Sequence, residues 1–310
     1  MTAALLLAVL AAWRPVAGGE GTGCAHGARY DFFVRMADPR KLLVYFQGGG
    51  ACWSEATCVR RTFDPSVEAA DDPTQGRGIL DGRRADNPFA GWSAVYAPYC
   101  TADAFLGARA ASYPGATVDH RGAANAQAVL DWVARHVRAP SVVVVAGGSA
   151  GAIASPLHAA ALAERYPRAR VVQIGDGAGG YRTPAIAGVL AAWGAPAAPS
   201  FEALYVRAAG RAPRATFTQV NQSQDAIQRA FLRLLGEDDR DFAARLGANL
   251  AEIRAAHAGF RAFVLPGSDH TVLTSPEFYT LSADGTALRD WVAGLAEGRA
   301  VGDVGLAALR

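Results

Sequence analysis

The sequence predicts an α/β fold with a mostly parallel central sheet flanked by helices, and three observations carry that expectation. Beyond residue 30, short β-branched runs alternate with longer helical patterns, as parallel strands joined by crossover helices do. The run VVVV at 142–145 is apolar without a break, which suits a strand covered on both faces. Hydrophobic residues make up 51% of the 310 and charged residues 19%, against roughly 25% charged in an average soluble chain, so a large core can form and intrinsic disorder is excluded.

Strands are expected at 41–47 (KLLVYFQ), 93–99 (SAVYAPY), 141–146 (SVVVVA), 170–174 (RVVQI), 214–220 (RATFTQV) and 260–265 (FRAFVL), each rich in β-branched or aromatic residues between turn formers. Helices are expected at 122–137, 150–165, 222–235 and 239–257, where apolar residues recur at spacings of three and four. Between the first two strands, residues 60–87 are polar and punctuated by proline and glycine, the pattern of a long excursion over a functional face. No internal repeat or linker divides the chain, so residues 20–310 are expected to form a single domain.

Ahead of that domain, residues 3–13 are apolar but only about half the length that spans a bilayer, so no integral membrane segment is expected. Small residues follow, and residues 1–19 read as an export signal cut after Gly18 or Gly19, although no positive charge precedes the apolar run. A secreted or periplasmic location is therefore expected. Cysteine usage agrees, because an even count of four (Cys24, Cys52, Cys58, Cys100) in an exported chain suggests two disulfides. Three pairings are possible; Cys52 with Cys58 is sterically easy across a small loop, which leaves Cys24 with Cys100. The C-x5-C spacing has no second pair to complete a zinc site, so no metal is expected. With 30 basic and 28 acidic residues, a net charge of +2 and no polybasic run, nucleic acid is not an expected partner.

The sharpest local signal is Gly147-Gly148-Ser149-Ala150-Gly151, placed after the most strand-like run and before an alanine-rich helix. This is a G-x-S-x-G nucleophile elbow in the strand–turn–helix setting that the motif needs. Its glycines permit the sharp turn, and the positive end of the helix points at any oxyanion that forms. A phosphate-binding P-loop would need a lysine that is absent.

A serine hydroxyl is too weak an acid to attack an ester unaided, so Ser149 requires a histidine base and an orienting carboxylate. His158 lies nine residues on, more than about 10 Å along a helix axis, which is too far. His257 falls at a helix end. His270, in the glycine-containing loop LPGSDHT after the last strand, stands where α/β-hydrolase-like folds carry the base, in the chain order serine, acid, histidine. For the acid, Asp225 follows the 214–220 strand at a strand-to-helix junction, where it could equally be an ordinary helix cap. Asp176, flanked by Gly175 and Gly177, reads as a turn or substrate-pocket residue, and Asp269 adjoins His270 too closely to reach its ring. Oxyanion donors are expected from the Ala150 amide and from the loop Gly48-Gly49-Gly50-Ala51-Cys52-Trp53. A dinucleotide-binding reading of that loop fails because Trp53 occupies the place of the third glycine.

Taken together, VYFQGGGACW at 44–53, PYCTAD at 98–103, the elbow, NQSQD at 221–225 and His270 resemble the pectin acetylesterase/Notum family of extracellular serine carboxylesterases. The segment GSDHT at 267–271 lacks the cysteines that plant and animal members carry there, and in this the chain looks more like bacterial members. The resemblance implies an α/β-hydrolase-like ester hydrolase without metal or cofactor. It also implies Ser149, Asp225 and His270 as triad, Gly49, Gly50 and Ala150 as amide donors, and Trp53 near the acyl pocket. The expected function is an exported serine carboxylesterase that removes short acyl groups, acetyl foremost, from a carbohydrate. A general or lipase-like carboxylesterase is one alternative, and a non-catalytic carbohydrate- or lipid-binding protein on the same scaffold is another, since fold alone does not separate them.

Overall fold

Side chains alternate faces along a strand, and in the central strands of this protein both sets are apolar. The computed structural model describes residues 12–68 and 71–310, so most of the expected export signal, residues 1–11, lies outside the described residues. The chain runs through β1 (Arg14–Ala17), β2 (Asp31–Arg35), β3 (Asp38–Phe46), the short helix α1 (Glu55–Val59) and β4 (Trp92–Ala97). A hairpin of β5 (Arg109–Tyr113) and β6 (Ala116–His120) leads to α2 (Gly122–His136), β7 (Val142–Gly148), α3 (Ala150–Arg165) and β8 (Arg170–Asp176). Two helices, α4 (Ala185–Trp193) and α5 (Glu202–Arg211), precede β9 (Thr216–Gln222), α6 (Ala226–Leu234), α7 (Phe242–Ala256) and β10 (Arg261–Leu265). A two-stranded ribbon, β11 (Ser282–Ala283) with β12 (Thr286–Ala287), and α8 (Leu288–Glu297) follow.

Eight strands form one sheet in the order β1-β2-β4-β3-β7-β8-β9-β10. The six from β4 to β10 are mutually parallel, while β2 runs against both of its neighbours. All six expected strands are in this sheet, and the architecture is of the expected α/β-hydrolase-like kind. Leu42, Val44 and Phe46 of β3, with Val143 and Val145 of β7, face a core shared with α2, α3, α4, α5 and α7. Leu43, Tyr45, Val142, Val144 and Ala146 face a second core, closed by Leu288, Trp291, Val292 and Leu295 of α8. Each fully buried leucine or valine there contributes roughly 1.5–3 kcal/mol.

Two local expectations are corrected. The helix expected over 222–235 begins at Ala226, because Gln222 still belongs to β9 and Asp225 caps the helix. Helices α4, α5 and α8 have no counterpart in the sequence reading; in α4 (AIAGVLAAW) nearly every position is apolar or small, so no polar face marks a helical period. The edge strand β1 adds a constraint on the signal. Arg14–Ala17 pairs with β2, and the Gly18 amide donates to the Tyr30 carbonyl at 3.0 Å, so cleavage after Gly18 or Gly19 would remove a strand of the sheet.

Cys24 pairs with Cys100 and Cys52 with Cys58. The first bridge closes a span of 76 residues and the second a span of only 6. Loop-closure entropy assigns them upper figures of about 4 and about 2 kcal/mol respectively. Replacing Cys24 and Cys100 by serine together should therefore lower the unfolding free energy more than the same change at Cys52 and Cys58. Urea denaturation of the two double variants checks the order, and a larger loss at Cys52/Cys58 would contradict it.

Candidate active site

At the end of β7 the chain reverses into α3 through a single residue. Ser149 has φ 50° and ψ −117°, a left-handed conformation that costs a non-glycine residue of the order of 1–3 kcal/mol. Close backbone packing over-determines it. A Cβ on Gly147 would lie 2.4 Å from the Gly151 carbonyl oxygen, and one on Gly151 would lie 2.1 Å from the Phe46 carbonyl oxygen. A Cβ on Gly48 would stand 2.7 Å from both the Ser149 Cβ and the Gly148 carbonyl oxygen. Ser149 is the N-cap of α3, yet its hydroxyl makes no capping bond, so its oxygen is not spent on the helix amides. Its amide donates to the Asp176 carbonyl at 2.7 Å.

Asp225 ends the turn after β9 and is fully buried. Oδ1 accepts from the amides of Ile227 (3.0 Å) and Gln228 (2.9 Å), while Oδ2 accepts from Gln228 Nε2 (2.9 Å) and meets His270 Nδ1 at 2.7 Å. The carboxylate thus serves as helix cap and as partner of the histidine at once. Because its other partners are all N–H donors, Nδ1 is the donor in the histidine pair, which leaves the lone pair on Nε2. Nε2 is buried and has no hydrogen-bond partner, so the contact to the serine is not closed here. Hydrogen bonds of this kind commonly tighten only with substrate. The ring lies against Gly177, with Cε1 3.2 Å from where that residue's Cβ would stand, and the Thr271 methyl packs on Gly148, next to the serine. Ser149 and His270 therefore occupy one edge of the sheet, beyond the carboxyl ends of β7 and β10.

Facing the elbow is the glycine loop after β3. The amides of Gly49, Gly50 and Ala150 donate to no acceptor among the described residues. Residues 60–87 border the site at both ends: the Asp64 amide donates to the Gly49 carbonyl (2.9 Å), and that of Ile79 to the Leu273 carbonyl (2.8 Å). Beside Ser149 opens an apolar cavity of about 40 Å³, with Gly50 and Ala150 on one side and Trp53, Tyr181, Ile186, Trp193, Phe231 and Leu235 around the rest. By the measure in which a water needs roughly 10–15 Å³, this is room for about three water-sized groups.

Asp176 does not line that cavity. It is 1% exposed, and its Oδ2 accepts from the amides of Val272 (2.7 Å) and Leu273 (2.8 Å). The rejected histidines have other surroundings. His158 stacks on Phe46 at 4.4 Å, where burial pushes its pKa down to about 4, and His257 Nε2 lies 3.1 Å from the Ala215 carbonyl oxygen. The sequence reading does not find Gln228, whose Nε2 holds Asp225 while its Oε1 accepts from the Gly180 amide at 2.8 Å. Its position three residues after a helix-capping aspartate is the only signal available. The cavity walls Tyr181, Ile186, Trp193 and Phe231 carry no motif and are assembled from three separate segments.

Comparison with known proteins places this geometry in context. A family model described as Pectinacetylesterase matches residues 16–183, just over half of the chain. The match holds Ser149 and the glycine loop and ends before Asp225 and His270. Over 141 residues the chain is 32% identical to pectin acetylesterase 11 of Arabidopsis thaliana, covering 44% of this chain and 36% of that protein. Over 165 residues it is 26% identical to palmitoleoyl-protein carboxylesterase NOTUM of Homo sapiens, covering 49% of this chain and 33% of that one. The matched stretch thus spans about a third of the length of these curated relatives.

The elbow packing makes Gly48 a sensitive position. Gly48→Ala should slow covalent labelling of Ser149 by a fluorophosphonate by at least about 10²-fold, because the added methyl must displace the serine itself. Labelling at the parental rate, followed by mass spectrometry, would show that the close approach is not needed.

Proposed function

The chain belongs to the pectinacetylesterase family, and from that premise we propose that it is an exported serine carboxylesterase that removes acetyl groups from a carbohydrate. The observation that carries the reading is the 2.7 Å pair between His270 Nδ1 and Asp225 Oδ2, which leaves Nε2 as an unengaged base beside the strained Ser149.

In the proposed reaction the Ser149 Oγ attacks the ester carbonyl carbon while His270 Nε2 takes its proton, and Asp225 stabilises the imidazolium that results. The amides of Gly49, Gly50 and Ala150 receive the oxyanion, and their value lies in having no competing acceptor. His270 returns its proton to the leaving sugar oxygen. Water, deprotonated in turn by His270, then hydrolyses the acyl-enzyme. The small apolar cavity beside Ser149 supports a short acyl group, and the names of the plant relatives support an acetylated carbohydrate as its carrier. Two disulfides support export, since such bridges persist in oxidising compartments.

A rate panel on 4-nitrophenyl esters of increasing chain length, beside acetylated pectin and acetylated xylan, tests the substrate. The expected result is a steep fall beyond the shortest esters together with acetate release from a polysaccharide; preference for long chains would favour a lipase-like enzyme instead. Ser149→Ala should lower kcat by about 10⁴-fold or more, and a parent that a fluorophosphonate fails to label at Ser149 would be a binding protein rather than an esterase.

A further inference from the structure

One residue bonds both to the Ser149 amide and to the loop that follows His270, without lining the cavity. The carbonyl of Asp176 accepts from the Ser149 amide at 2.7 Å, and its carboxylate accepts from the amides of Val272 and Leu273 at 2.7 and 2.8 Å. We propose that Asp176 is a positioning residue that ties the serine elbow to the histidine loop and so sets the approach of His270 to Ser149. This inference rests on the esterase reading and concerns the same site.

The loop needs such a tie. Thr271, between His270 and the two bonded amides, has φ 55°, a conformation rare for a β-branched residue. A residue held there persists only where its surroundings over-determine it. Here the following two amides are anchored on one buried oxygen, and the Thr271 methyl lies against Gly148 and Gly177. Releasing the anchor lets the backbone at Thr271 relax, and His270, the adjacent residue, moves with it. The sheet supplies rigidity at the other end. Asp176 is the last residue of β8 and pairs with Gly148 of β7 and Val220 of β9, so the clamp stands on the middle of the sheet.

The ionisable groups that face Asp176 are His270, Asp225 and the Tyr45 hydroxyl. Burial pushes the Asp176 carboxyl up to about 6, against the pull of its two amide bonds and of His270. As pH falls through that value the carboxylate gains a proton, both amide bonds weaken, and the negative charge near the imidazole disappears. Activity should therefore fall as Asp176 gains its proton.

Variants Asp176→Asn and Asp176→Ala, with kcat referred to sites titrated by a fluorophosphonate, test the proposal. Asp176→Ala should lose about 10²-fold in kcat with KM within about twofold, the size of loss that an ångström of misplacement brings. Asp176→Asn keeps an oxygen for the two amides and should fall between it and the parent. Below about pH 6 the parent's log kcat/KM should descend more steeply than that of Asp176→Asn, which has no carboxylate to protonate. A purely structural role lowers the unfolding midpoint and the titratable fraction but leaves kcat per titrated site and the pH slope unchanged, and that result overturns the proposal. A parent that the phosphonate does not label sinks the esterase reading and the proposal with it; a labelled parent whose variants turn over at its rate sinks the proposal alone.

Discussion

The site depends on a steric condition: three places around the elbow have no room for a Cβ. Gly48, Gly147 and Gly151 bring the ends of β3 and β7 and the first turn of α3 to backbone contact, with hypothetical Cβ positions only 2.1–2.7 Å from neighbouring atoms. That contact holds Ser149 in its left-handed conformation, and its hydroxyl makes no bond to the helix it caps. It also brings Gly48 against the serine, and the amides of Gly49 and Gly50 that follow donate to no acceptor among the described residues. Ser149 and the glycine loop thus meet through one packing event, and both lie at the carboxyl edge of parallel strands, where open α/β sheets place their ligands.

Two buried aspartates organise the other half of the site by different means. Asp225 has four N–H partners, two of them the free amides at the start of α6, and a capping interaction of this type stabilises a helix by about 1 kcal/mol. Its orientation is therefore held by the helix as well as by the histidine. Asp176 works through the backbone, holding the loop that carries His270 to the strand end that carries Ser149. Gln228 links the two systems, since it reaches Asp225 with its nitrogen and Gly180, four residues after Asp176, with its oxygen.

On the front of the molecule the disulfide and the cavity wall form one unit. The Cys52 carbonyl accepts from the indole nitrogen of Trp193 at 2.7 Å, so the wall of the cavity is bonded to the glycine-rich loop after β3. The Cys52–Cys58 bridge encloses Trp53, whose ring lies 6.1 Å from that of Phe231 on α6. Cavity shape and oxyanion geometry are consequently coupled through a few residues of the 49–58 segment and the helices above it.

The central strands were legible because Val142–Val145 and its neighbours are short, β-branched and apolar on both faces, bounded by turn formers. Ser149 and the glycine loop were legible because backbone constraint leaves a local trace: only glycine fits where chains touch. His158 was set aside on axial rise, and His270 was favoured by its place in a glycine-containing loop after the last strand. Asp225 was legible as a candidate but with two readings, cap or acid, and in the structure it both caps α6 and bonds to His270. What the sequence could not give was anything assembled from distant segments. Asp176 looked like a pocket residue because its glycine neighbours imply an open turn, whereas β8 carries it into the sheet and the loop 96 residues later supplies its bonding partners. Tyr181, Ile186, Trp193 and Phe231 meet around one cavity only because helices α4 and α6 cover the elbow. Local order by itself determined the strands and the turn at Ser149, since each is dictated by contacts within a few residues. Which groups support them was decided by tertiary packing, because hydrogen bonds across the sheet edge depend on topology and leave no periodic mark in the chain.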